Sequence, residues 1–139
     1  MDTRELKDRV CQAVDRMRDE LLRISRAIHA NPELAFEEHE AASLLVAALR
    51  EAGLEVETGV HGLETAFSAE FGADGSPCVA LLAEYDALPE MGHACGHNLI
   101  ATASIDDVTI RETERGIVYR HAARTRSYGR APRSVPLSS

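Results

Sequence analysis

No apolar run in this sequence approaches membrane-spanning length, which argues against a transmembrane helix. The amino terminus, Met1 to Arg9, is polar and charged and lacks the apolar core of a signal peptide. Both absences lead us to expect a cytoplasmic chain with no membrane partner. Cysteine is scarce: Cys11, Cys78 and Cys95 lie far apart and are odd in number, which argues against a disulfide framework. Cys11 falls in a helical pattern and Cys78 at a strand start, and both read as ordinary core residues. There is no internal repeat. What the sequence does have is the make-up of one folded domain, with 139 residues, 45% hydrophobic and 27% charged.

The charge is unevenly spread. Residues 1 to 103 carry 8 Lys/Arg against 19 Asp/Glu, a balance of −11, whereas residues 104 to 139 carry 7 Arg against 4 acids, a balance of +3. A body of that sign repels nucleic acid, and only the tail could attract it.

From Leu6 the apolar residues Val10, Val14, Met17, Leu21, Ile24 and Ile28 recur every three or four positions, the stripe of a long amphipathic helix. Pro32 should stop it near Ala30. A second helix is predicted from about Glu37, with Ala41, Leu44, Leu45, Ala48 and Leu49 on its apolar side and Gly53 as its stop. Its leading acids Glu37, Glu38 and Glu40 suit the positive end of the helix dipole and read as a solvated start. Leu54 to Thr58 and Thr65 to Phe71 read as strands. Val79 to Ala83 is apolar without alternation, the pattern of a central strand buried on both faces. It delivers its carboxyl end to Glu84-Tyr85-Asp86, where α/β proteins place their chemistry. The expected class is therefore α/β: two amino-terminal helices, then strands leading to a ligand-rich loop, with a helix following from about His97. Ile105 to Ile110 and Gly116 to Tyr119 read as short strands, His121 as a surface residue, and the Arg-rich end as disordered.

That loop is His93-Ala94-Cys95-Gly96-His97, where possible ligands alternate with small residues. In extended backbone, positions i and i+2 face one side, so Cys95 and His97 could grip one ion, with His93 a third candidate. A thiolate with an imidazole suits zinc or a similar transition ion. The plainer reading makes Cys95 a small buried hydrophobe and the histidines surface residues; the crowding of ligand types beside Asp86 favours the metal site.

Three segments in order, Ile28 to Glu38, His61 to Phe67 and Ala83 to Ile100, resemble the amino-terminal part of the aminoacylase-like, metal-dependent amidohydrolases and peptidases. The aminobenzoyl-glutamate and dipeptide hydrolase branch is the most similar. The resemblance implies Cys95 and His97 as metal ligands and Asp86 as support of the metal centre, and leaves Glu84 open. It implies two divalent ions, zinc or manganese, which acidify a water that attacks the amide of a small peptide or N-acyl amino acid. It also implies a glutamate general base, absent from this chain: Glu112 and Glu114 are not adjacent and their surroundings do not match. The match covers roughly Leu22 to Ala103; residues 1 to 103 are expected to form the amino-terminal part of a catalytic domain, and residues 104 to 139 read as a non-matching tail, a shifted frame or truncation. The implied function is a fragment of an amide hydrolase, incomplete and inactive alone, with homo-oligomers compatible with the complete protein. The alternatives are a non-catalytic α/β module binding one metal or a partner chain and, last, a basic-tailed protein for acidic partners.

Overall fold

The computed structural model describes residues 2–70 and 79–109. The predicted segment from Gly116, the paired acids Glu112 and Glu114, His121 and Cys78 lie outside them.

Helix α1 spans Thr3–Ala30, about 42 Å at the helical rise. It ends where the sequence predicts, one residue before Asn31-Pro32. Its stripe is buried only at the carboxyl end, where Ile24 and Ile28 are each 1% exposed. The first turns project beyond the core, so Cys11 is exposed, contrary to the expected core position. Helix α2, His39–Glu51, buries Ala41, Ala42, Leu45, Val46 and Leu49. Gly53 terminates it with φ of 78°, its N–H donating to the Arg50 carbonyl while the Leu54 N–H reaches back to Leu49. This pair of bonds satisfies the last free carbonyls of a helix in the way a glycine stop allows.

The start of α2 differs from expectation. Glu33, from the turn after α1, accepts from the backbone N–H groups of Glu40 at 2.9 Å and Ala41 at 2.8 Å, capping the helix from outside it. Glu38 is buried, not solvated: it is 4% exposed and accepts from the Thr65 hydroxyl.

Strands β1, Val56–Thr58, and β2, Phe67–Ala69, form an antiparallel pair with Val56 opposite Ala69 and Thr58 opposite Phe67. Phe67 and Ala69 face the core. Val79 to Ala83 pairs with no strand among the described residues. Val79 and Leu82 are 43% and 44% exposed, so the run is not the doubly buried strand its composition predicts. Such burial needs strands at both edges and a layer on each face, and the described residues supply only the β1–β2 pair.

Helix α3, His97–Thr109, packs chiefly against α1. Asn98 Nδ2 joins the two by donating to the Ser25 hydroxyl at 3.1 Å. The predicted strand from Ile105 is helical as far as Thr109; Ile105 is 3% exposed in the core, and the Ser104 hydroxyl donates to the Leu82 carbonyl. The helical register continues because Ala101 and Ile105, four apart, share one face. The turn after α1 is tied to the ligand loop as well, since Ala87 N–H donates to the Glu33 carbonyl at 2.7 Å and Leu34 bridges Ala87.

Candidate metal centre

The run from Val79 leads to Asp86, and the chain then turns back on itself. Leu88 and Gly92 exchange backbone hydrogen bonds, with Glu90 and Gly92 both at positive φ. A further turn, with the Gly96 N–H donating to the His93 carbonyl, leads into α3. Gly96 has φ of 81°, a conformation that favours glycine. Cys95 and His97 therefore converge by a turn and not by the strand alternation expected of them.

Both reach Asp86. His97 Nδ1 lies 2.8 Å from Asp86 Oδ1 and 3.0 Å from the Asp86 carbonyl, and Cys95 Sγ approaches the same carbonyl at 4.0 Å. Asp86 is 4% exposed. Two acceptors at Nδ1 make that nitrogen the donor, which leaves the lone pair of a neutral ring on Nε2. Nε2 in turn faces Glu84 Oε2 at 3.4 Å. Two lone-pair atoms so placed need a cation between them, either a proton on the ring or a metal ion. Two donors each about 2.1 Å from a tetrahedral zinc lie about 3.4 Å apart, so the pair has the spacing of a shared ion. Imidazole, carboxylate and a nearby thiolate are also the donor types that zinc accepts. Among the described residues no three His, Cys, Asp or Glu side chains gather closely enough to enclose an ion.

His93 takes another direction. Its ring lies 6.2 Å from that of His29, and both of its nitrogens are buried without a hydrogen bond. Burial first, and the neighbouring His29 second, lower its proton affinity, while the Ile28 backbone and Asp86 pull weakly the other way. Glu84, left open by the sequence, is the residue the geometry adds; its signal is a carboxylate two positions from Asp86 in a strand-like run.

A cleft of about 350 Å3 adjoins these groups, lined by Asp86, Cys95 and His97 together with Leu34, Leu88 and Pro89. Its volume lies in the range of small-molecule sites, with an apolar wall beside a few polar atoms.

No protein-family model matches the sequence. Individual relatives do. The Xaa-Arg dipeptidase of Mus musculus is 42% identical over 109 residues, covering 72% of this chain and 25% of the relative. A p-aminobenzoyl-glutamate hydrolase of Escherichia coli is 38% identical, covering 66% and 22%. Among solved structures, a dinuclear metal-binding peptidase of Bacillus subtilis superposes with a TM-score of 0.66 at 27% identity, over 78% of this chain and 35% of that one. Over the part they share, this chain belongs to the aminoacylase-like metal-dependent amidohydrolases and peptidases. The chain spans about a quarter of the length of the curated relatives it matches. A putative aminohydrolase structure from Staphylococcus aureus, with a TM-score of 0.72 over 90% of this chain and 36% of that one at 22% identity, bears on the fold alone.

Proposed function

We propose that this chain carries part of the metal centre of an amide hydrolase acting on small peptides or N-acyl amino acids. The observation that carries the reading is His97, held by Asp86 at Nδ1 and facing Glu84 with Nε2. In this assignment His97 and Cys95 are the ligands, Glu84 faces the His97 nitrogen that meets the ion, and Asp86 fixes the His97 tautomer so that Nε2 is the nitrogen presented. Zinc or manganese held there supplies an acidic water and polarises the amide carbonyl. The cleft beside Leu34 and Leu88 orients the apolar part of the substrate. We place the enzyme in the cytoplasm; among the described residues no helix is long and apolar enough to cross a membrane.

We further infer that the chain is catalytically incomplete alone. Fewer than three donors surround any one point among the described residues, whereas a catalytic zinc takes about three protein ligands. Val79, Leu82, Leu99 and Ile100 are each at least 40% exposed, apolar side chains that a further layer of a larger domain would cover.

A thermal-unfolding titration with zinc tests both statements. One ion should bind and raise the midpoint, with the stabilisation reaching about 2.7 kcal/mol when free zinc is a hundredfold above its dissociation constant. Cys95→Ser and His97→Ala should each remove most of that gain. Dipeptide hydrolysis should stay at background. Absence of any zinc effect sinks the metal assignment; two tight sites, or turnover abolished by Cys95→Ser, sinks the incompleteness. Zinc binding without turnover, even when the rest of a related catalytic domain is supplied, would favour the non-catalytic module.

A further inference from the structure

Behind the donor cluster, a buried polar chain reaches the ligand loop from the opposite side. Glu38, at the amino-terminal boundary of α2, is 4% exposed and accepts from the Thr65 hydroxyl at 2.7 Å. The Thr65 carbonyl accepts from the Tyr85 hydroxyl at 2.6 Å. Tyr85 is 2% exposed, and its ring stacks on Phe67 with centroids 5.7 Å apart and planes within 12°. Tyr85 is thus held at both its ring and its tip, by β2 and by the residue two positions before it.

The consequence lies in which residues flank Tyr85. In extended backbone, successive side chains point to opposite faces. Tyr85 runs to Thr65 and Phe67, whereas Glu84 and Asp86 on either side of it in sequence are the two carboxylates that meet the two nitrogens of His97. Fixing the Tyr85 tip fixes the rotation of this three-residue segment about its own axis. A buried carboxylate is expensive to desolvate, and an apolar pair of similar volume often serves stability as well or better. Stability alone gives little reason to keep Glu38 in this place.

We propose that Glu38, Thr65 and Tyr85 form a positioning relay that sets the spacing of Glu84 and Asp86 about His97. None of the three touches an ion or substrate; they act through the backbone of residues 84 to 86. The inference rests on the metal-centre reading of that cluster.

Tyr85→Phe keeps the ring and its stack on Phe67 and removes only the hydroxyl. Two measurements on the full chain decide the matter. In metal-free protein, the nitrogen NMR signal of His97 Nδ1 reports its hydrogen bond to Asp86. In a cobalt titration, the thiolate-to-cobalt absorption reports affinity and the participation of Cys95. Tyr85→Phe and Thr65→Val should shift the His97 signal and weaken cobalt binding about tenfold, the low end of what loss of an outer-shell partner costs. Glu38→Gln retains an oxygen that accepts from Thr65 and should stay near the wild-type affinity, whereas Glu38→Ala should not. An unmoved His97 signal in Tyr85→Phe, or equal affinity in a chain that binds cobalt, overturns the relay. If the wild-type chain fails to bind cobalt, the metal-centre reading falls, and the His97 signal still decides the relay.

Discussion

A histidine buried with neither ring nitrogen bonded resists carrying a charge, and His93 is in that position. Burial and His29 lower its folded-state proton affinity below the ordinary value of 6.5. The unfolded chain therefore takes up a proton near that pH while the folded chain does not. Stability contributed by the neutral ring is full above 6.5, declines as the pH falls through it, and stops declining once the folded ring also protonates. Metal-free chain unfolded in urea should thus lose stability as the pH falls through about 6.5, and His93→Leu should flatten that decline. An unchanged slope in the variant would assign the acid sensitivity to other groups. By residue type His93 is one of three ligand candidates in its loop. Its environment, invisible in sequence, separates it from the other two: its ring faces His29 while Cys95 and His97 turn to Asp86.

At the scale of elements, the helices follow their sequence patterns and the strands do so only in part. The end of α1 and the glycine stop of α2 are local decisions, made by Pro32 and by Gly53, and both are legible in the sequence. The run from Val79 is apolar in sequence, yet its pairing depends on partners that no local pattern encodes. The helix through Ile105 escapes a sequence reading because Asp106 and Asp107 interrupt the apolar rhythm, whereas Ile105 itself completes a face with Ala101. The site is legible to the extent that its chemistry sits in one contiguous stretch. The cap by Glu33 and the buried contact of Glu38 with Thr65 are not, since each joins segments that are separated in sequence. Because α3 continues through residue 105 as a packed element, Ile105→Ala should cost roughly 2–5 kcal/mol, the range for truncating a buried isoleucine. Loss of less than about 0.5 kcal/mol in urea unfolding, the range of a surface change, would place the end of the packed helix before it.

The molecule as a whole joins a well-packed helical layer to a ligand loop whose apolar surroundings are half-open. Ile24, Ile28, Leu45, Leu49 and Phe67 are each no more than 1% exposed, while Met91 and Leu99 are 66% and 63% exposed beside the loop. The helices thus have a core of their own, and the loop borrows its order from them through Glu33. That residue grips α2 with its carboxylate and the ligand loop with its carbonyl. Rupture of either grip removes a restraint on the other, so the two regions should open together in native-state hydrogen exchange. The amides of Ala87, Glu40 and Ala41 should exchange as one cooperative group, and Glu33→Ala should speed all three by a similar factor. Acceleration confined to Glu40 and Ala41 would show that the ligand loop keeps its order by itself. On this view the donor cluster is among the later parts of the chain to assemble: it must wait for two helices to meet before its own backbone has a place to rest.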